Sequence, residues 1–171
     1  MTILWLIYPE RKAMLNWDEE IKQFVACCAQ HKVKMLLVGG GAVNFHGYQR
    51  HSADIDFWID TREENLIRLL KVFHDLGFEI DSFPNDVALQ QKNISVKFSP
   101  ASLSVELITK FNPNKSFDEA YETSIPVELN QQPLLKYRVL GLEDLITSKI
   151  KAGRPKDLLD IQELKRINGK T

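Results

Sequence analysis

Apolar residues recur at helical spacing near both ends of the chain and at strand spacing between them. The segment Ile21–Cys28 places its apolar residues on one helical face, which predicts a helix. We expect Asn16 to cap this helix, with Glu19 three residues later as in a capping box. His31 follows the predicted helix and marks its end.

The next segments predict a strand, a tight turn and a second strand. Val33–Val38 is a short apolar run rich in strand formers, and three consecutive glycines stop it. A short helix is expected over Ala42–Tyr48. Residues Asp54–Asp60 alternate acidic and apolar side chains with period two, which predicts a strand. Thr61 is the expected cap of the following helix, which Gly77 closes.

The middle of the chain is predicted to consist mostly of short strands. These strands are expected at Phe78–Ile80, Val87–Gln91, Ile94–Phe98, Leu103–Ile108, Ile125–Leu129 and Leu134–Val139. One helical turn at Phe117–Glu122 interrupts them, and helices over Leu145–Ala152 and Pro155–Asn168 end the chain, with Pro155 suited to a first turn. This order predicts an α/β (α+β) fold, in which a mixed β-sheet is flanked by helices and followed by a C-terminal helical pair.

Composition narrows the class of protein. The chain has 171 residues, of which 44% are hydrophobic and 26% are charged, values typical of a folded globular domain. We expect a single domain over residues 1–171, with a core at about 16–139 and the C-terminal helices at about 141–168. The 22 basic and 23 acidic residues nearly cancel, so charge does not favour general binding to nucleic acid.

The chain shows no recognisable targeting signal, and its cysteine usage is typical of a reducing compartment. We therefore expect a cytoplasmic protein that makes no membrane contact. The apolar start Met1–Tyr8 is too short to span a bilayer and lacks the features of a signal peptide. The two cysteines, Cys27 and Cys28, are adjacent in a predicted helix. They form neither a disulfide framework nor a zinc site, and a reducing compartment is the expectation.

Two aspartates on the second predicted strand carry the strongest chemical signal. Asp54 and Asp56 are two residues apart, so both side chains point to one face of the sheet. Two such carboxylates need a cation, and Mg²⁺ takes oxygen ligands of this kind together with substrate phosphate. Glu106 interrupts an apolar strand and is the candidate for a third carboxylate ligand. The alternative is that the aspartates face solvent on a half-exposed strand.

The glycine turn adds a candidate phosphate site. Gly39, Gly40 and Gly41 follow a strand and open a helix, a place where backbone N–H groups bind phosphate. A plain tight turn is the alternative. The dinucleotide-binding pattern G-x-G-x-x-G is absent, and so is the Walker A pattern, because no Gly-Lys-Ser/Thr follows.

Together these segments resemble the nucleotidyltransferase superfamily, which has the polymerase-beta-like fold. The resemblance covers about Val33–Leu164 and includes the strand with its glycine turn, the Ser52-Ala53-Asp54-Ile55-Asp56 segment and Glu106. Lys149 and the later residues Arg154, Pro155, Lys156, Asp157 and Asp160 are similar to the closing motif of small abortive-infection type II toxin-like transferases. Gly40 replaces the serine of the usual Gly-Ser turn, and Glu106 replaces the commoner aspartate.

The resemblance implies an enzyme that moves a nucleoside monophosphate from an NTP to an acceptor hydroxyl. Asp54, Asp56 and Glu106 would be the catalytic residues and would bind two Mg²⁺ ions. The glycines, Ser52, Lys149, Arg154 and Asp157 would bind the nucleotide. RNA, tRNA, a protein or a small molecule are candidate acceptors, and a toxin–antitoxin or defence role is a further expectation. The alternative is an inactive nucleotide-binding or protein-interaction module with the same fold.

Other residues near the motifs have competing interpretations. His46 and His51, with Arg50 between them, are candidates for phosphate or base contacts, but solvated loop histidines are common. We expect Trp58 to pack in the core, on the face opposite the aspartates. Lys149 either contacts phosphate or pairs with Asp157 or Asp160 to join the two C-terminal helices.

Overall fold

Residues 17–170 are described by the computed structural model. The apolar start Met1–Tyr8 and the expected cap Asn16 lie outside the described residues. The strands are β1 (Met35–Val38), β2 (Asp54–Ile59), β3 (Ile94–Val96), β4 (Ser104–Ile108), β5 (Ile125–Leu129) and β6 (Leu135–Val139). The helices are α1 (Glu19–Gln30), α2 (Gly39–Phe45), α3 (Glu63–Asp75), α4 (Asn85–Ala88), α5 (Phe117–Glu122), α6 (Leu142–Ala152) and α7 (Pro155–Ile167).

The six strands form one mixed sheet in the order β3-β4-β2-β1-β6-β5. β2 and β4 are parallel, as are β1 and β6, and the remaining neighbours are antiparallel. The predicted α/β fold with a mixed sheet and a C-terminal helical pair is therefore confirmed. The extent of the single domain stays a prediction.

One face of the sheet is buried under α1, which packs beside α3. Leu37 and Phe57 are paired across β1 and β2 and are fully buried. Trp17, directly before α1, packs against the Phe57 ring, and Phe24 of α1 contacts Phe73 of α3. Because side chains alternate along a strand, this packing directs the neighbouring residues of β2 to the opposite face.

Several element boundaries differ from the prediction. Asp18, whose carboxylate accepts the Ile21 N–H, caps α1. Helix α3 has Arg62 as its N-cap residue, so the predicted cap at Thr61 was wrong. Asp60, which lies two residues before Arg62, is buried and accepts hydrogen bonds from the Arg62 backbone N–H and guanidinium.

Two of the predicted strands do not form. Phe78–Ile80 is irregular, and the segment predicted as the strand Val87–Gln91 instead begins in the one-turn helix α4, which buries Val87. Short apolar runs have too few residues to distinguish period two from period 3.6, so packing decides their conformation. Within residues 17–170, none of the helices has the length and apolar character needed to cross a membrane.

Candidate functional site

Three carboxylates lie together on the face of the sheet opposite α1. Asp54 and Asp56 occupy β2, and Glu106 lies directly beside Asp56 on β4 in the parallel register. Neighbouring strands are about 4.8 Å apart, so side chains paired in this way share a face and lie close together. The structure therefore places Glu106 where the sequence expectation required it, although its role as a ligand stays a prediction.

The electrostatics of Asp56 show that negative charge accumulates here. Burial, as the largest cause, and the charges of Asp54 and Glu106 together raise the pKa of Asp56 to about 6. Lys156 and Lys149 act in the opposite direction without cancelling the effect. Within residues 17–170, no lysine or arginine lies within ion-pair distance of the three carboxylates. Three oxygen-donor side chains with uncompensated charge are suited to a hard divalent cation.

A serine that the sequence analysis missed holds the third carboxylate. Ser95 on β3 is paired with Glu106 across the antiparallel ladder, and its hydroxyl donates a hydrogen bond of 2.5 Å to Glu106 Oε1. A hydrogen bond to a charged acceptor of this kind orients the carboxylate. Ser95 carries no motif of its own, because only the pairing of β3 with β4 brings it to the site.

The glycine turn approaches the same carboxylates. Gly39 has a φ of +58°, and a Cβ at this position would lie 2.2 Å from Asp56 Oδ2. A Cβ on Gly40 would lie 2.4 Å from the Ser52 hydroxyl, which itself donates a 2.9 Å hydrogen bond to the carbonyl oxygen of Asp54. Glycine is therefore required sterically at both positions, and the turn is in direct contact with the aspartate strand.

The C-terminal helices form a buried ionic network. Lys149 Nζ on α6 lies 3.2 Å from Asp157 Oδ1 and 2.7 Å from Asp160 Oδ2, both on α7. Arg154 pairs with Asp157 at 2.7 Å, and Arg50 pairs with Asp160 at 2.7 Å. The Lys149 side chain is 6% exposed, and the side chains of the two aspartates are at most 1% exposed. This geometry corresponds to the alternative in which Lys149 joins the two helices.

The network lies near the carboxylates without bonding to them. Burial opposes ionisation of Asp157, but hydrogen bonds from Arg154 and Lys149 outweigh it and keep the pKa of its carboxyl below the ordinary value. The hydrogen bond to Asp157 raises the pKa of Arg154, and the charge of Asp56 adds to this effect. The charges of Lys149, Arg154 and Lys156 in the helical pair therefore interact electrostatically with Asp56.

Lys156 belongs to the closing motif of the resemblance but is not among the predicted site residues. It is exposed, and among the basic groups that act on Asp56 it has the largest influence. In contrast to Lys149 and Arg154, Lys156 makes no ion pair within residues 17–170. The signal that identifies it is its free charge, which the sequence does not display.

The positions of His46 and Trp58 differ from those expected. His46 is buried, and its Nε2 donates a 2.8 Å hydrogen bond to the Leu140 carbonyl oxygen, which is a contact within the fold rather than with a phosphate. Trp58 is buried as expected, but it pairs with Ile108 on the same face as the aspartates, where it contacts Phe111 and Phe117. The predicted face was wrong, because residues 54, 56 and 58 have the same parity. His51 is exposed.

Comparison with protein families identifies the chain. Residues 12–169 match the family described as nucleotidyltransferase of unknown function (DUF6036). The match covers nearly the whole chain, so the protein belongs to this family, and the expected membership of the nucleotidyltransferase superfamily is confirmed. The closer likeness to abortive-infection type II toxin-like transferases stays a prediction. No curated protein matches the chain.

Proposed function

We propose that this protein is a Mg²⁺-dependent nucleotidyltransferase that moves a nucleoside monophosphate from an NTP to an acceptor hydroxyl. The observation that carries the proposal is the cluster of Asp54, Asp56 and Glu106 on adjacent parallel strands. The family name supports nucleotidyl transfer in general. The metal, the nucleotide and the site residues are our proposal.

The three carboxylates fit the proposed metal by their chemistry. All three offer oxygen donors, which Mg²⁺ prefers, and the charges of Asp54 and Glu106 add to the effect of burial in raising the pKa of Asp56. Bound there, Mg²⁺ would stabilise negative charge on the triphosphate and lower the pKa of the attacking hydroxyl. Asp54, Asp56 and Glu106 would hold the metal.

The surrounding residues would position the reactants. Glu106, oriented by Ser95, is the residue suited to accept the proton of the acceptor hydroxyl. The backbone of Gly39 lies against Asp56, so its peptide groups are available to phosphate bound beside the carboxylates. Lys156 has an exposed, unpaired charge near Asp56 and is the best-placed side chain to neutralise the leaving pyrophosphate. The helical network would hold Lys156 in place.

Several classes of acceptor are compatible with this function. RNA, tRNA, a protein hydroxyl and a small molecule remain candidates, and a role in toxin–antitoxin systems or defence belongs to the same proposal. The overall charge of the chain is close to zero, so recognition of a large nucleic acid would depend on a local surface.

Incorporation of label tests the proposal. The wild-type protein, incubated with each α-³²P NTP and an extract containing RNA and protein, is expected to transfer label only when Mg²⁺ is present. Asp54→Asn and Asp56→Asn should each abolish transfer, because each removes a ligand charge. Glu128→Gln is the matched control. Glu128 is an exposed carboxylate on β5, an edge strand that is separated from β2 by β1 and β6.

Binding measurements separate the proposal from its alternative. An inactive nucleotide-binding module would bind an NTP analogue with Mg²⁺ but transfer no label to any acceptor. A protein-interaction module would bind neither Mg²⁺ nor nucleotide. Transfer that persists in Asp56→Asn would contradict the assignment of the site.

A further inference from the structure

A second group of side chains with metal-binding chemistry lies on the helices behind the sheet. Cys27 and His31 are four residues apart at the end of α1, and Asp75 is the last residue of α3. Cys27 Sγ lies 3.9 Å from Asp75 Oδ2, and His31 Nε2 lies 2.6 Å from the same oxygen. The sulfur, nitrogen and oxygen atoms all lie within 4.8 Å of one another.

We propose that Cys27, His31 and Asp75 form a zinc site with a fourth position open to water. One thiolate, one imidazole and one carboxylate are a donor set that Zn²⁺ accepts and Mg²⁺ does not, because Mg²⁺ requires oxygen ligands. This site is therefore chemically distinct from the Asp54, Asp56 and Glu106 cluster and does not depend on the proposed transferase activity.

The geometry requires movements of the ligand atoms of about 1 Å. Zinc bonds of about 2.0–2.3 Å in a tetrahedral arrangement separate the ligand atoms by about 3.3–3.8 Å. The sulfur–oxygen distance already approaches this range, and the nitrogen–oxygen distance must increase by less than about 1 Å. The Asp75 side chain is 56% exposed, so it is free to make this movement.

The helix ends provide independent support for a cation. His31 is the C-cap residue of α1, and Asp75 ends α3, so the carbonyl ends of two helices meet at the cluster. The C-terminus of a helix carries partial negative charge and favours a bound cation. Cys27 is buried, whereas the exposed Asp75 leaves an entry path for the metal.

The site revises the expectation that the cysteines cannot bind zinc. That expectation considered Cys27 with its neighbour Cys28, which is fully buried and is not part of the cluster. The structure instead supplies His31 from the same helical face and Asp75 from the adjacent helix. Zinc would join the ends of α1 and α3, and the thiol proton of Cys27 would leave to the buffer on binding.

Cobalt substitution tests the site on the full-length protein. Titration of the metal-free, reduced protein with Co²⁺ should produce a thiolate-to-cobalt charge-transfer band that saturates at one equivalent. Zn²⁺ should displace the band stoichiometrically, and a large excess of Mg²⁺ should not. Cys27→Ser should eliminate the band, and His31→Gln and Asp75→Asn should each weaken Co²⁺ binding by about tenfold or more.

Two controls make the test specific. Cys28→Ala should retain the band, because this second thiol points into the core. His74→Gln should also retain it, since His74 precedes Asp75 but bonds to the Ile80 carbonyl oxygen instead. One equivalent of Zn²⁺ should raise the melting temperature of the wild type and of both controls, but not of Cys27→Ser.

Two results would overturn the proposal. They are a wild-type titration without a thiolate band, and a band that survives in Cys27→Ser, with the ligand thiol assigned to Cys28 if Cys28→Ala then loses the band. In the first case, His31 and Asp75 would form only the ion pair seen in the structure. Circular dichroism of each variant establishes that the comparison is made on folded protein.

Discussion

Two groups of buried or half-buried aspartates in this protein respond to their surroundings in opposite ways. On the sheet, the pKa of Asp56 rises to about 6, because burial and two neighbouring carboxylates disfavour its charge. On α7, Asp157 is completely buried, yet hydrogen bonds from Arg154 and Lys149 hold its pKa below the ordinary value. The more buried aspartate is the more easily ionised of the two.

Charge compensation, rather than burial, explains the difference. Asp157 and Asp160 are surrounded by Lys149, Arg154 and Arg50, so the helical network neutralises its own carboxylates. The strand carboxylates have no such partners within residues 17–170. A protein retains an uncompensated cluster of this kind at a cost in stability, which is typical of binding and catalytic sites.

The largest expected effect comes from breaking the compensated group. Asp160→Asn should lower the free energy of unfolding by about 3–5 kcal/mol, because it removes the charge partner of two buried or half-buried cations. Denaturant unfolding measures this change. Glu163→Gln on the same helix breaks only an exposed pair with Arg166 and should cost less than about 1 kcal/mol. Equal effects in the two variants would contradict the assignment of a structural network.

Lys149→Met tests whether this lysine belongs to the network or to the nucleotide site. We expect a loss of about 2–3 kcal/mol in stability, since both aspartates keep one arginine partner, and little change in affinity for an NTP analogue. A thermal melt and a calorimetric titration on the same sample measure both quantities.

The opposite pattern would return Lys149 to the phosphate-binding residues. Affinity would then fall by about 1.5–3 kcal/mol while the melting temperature stayed constant. Lys151→Met provides the control, because Lys151 is an exposed lysine on the same helix.

Asp56→Asn tests the uncompensated group and should stabilise the metal-free protein. The native carboxyl keeps its proton to a higher pH than the unfolded chain, so wild-type stability falls as pH rises from about 4 to about 6 and stays lower above that range. The variant lacks this fall and should exceed the wild type by about 1–3 kcal/mol near neutral pH.

Denaturant melts across this pH range, with and without Mg²⁺, measure the effect. Mg²⁺ should stabilise the wild type and leave Asp56→Asn unchanged, because the variant lacks a ligand charge. A variant that is less stable than the wild type at every pH would mean that Asp56 has a structural role.

Much of the site could be predicted from sequence because its motifs are local. The alternation in Asp54–Asp60 predicts a strand with Asp54 and Asp56 on one face, and the glycines mark the turn that the structure places against Asp56. The short runs at Phe78–Ile80 and Val87–Gln91 were assigned wrongly, because local propensity is weak there and tertiary packing selects the conformation.

Contacts between distant segments were beyond the reach of local patterns. Ser95 meets Glu106 only because β3 pairs with β4, and the partners of Lys149 depend on how α7 folds back on α6. His31 and Asp75 are 44 residues apart, and the packing of α1 beside α3 brings them together. No short-range spacing encodes such contacts.

By itself, the sequence determined most of the elements, the paired aspartates, the glycine turn and the resemblance to nucleotidyltransferases, because these depend on the identity and period of neighbouring residues. The tertiary structure alone decided which charges are compensated. Strand order leaves Asp56 beside Glu106 with no basic ion-pair partner among the described residues 17–170, and helix packing surrounds Asp157 and Asp160 with cations. Coulomb energies depend on distance in space, so residues of the same type acquire opposite properties once the chain folds.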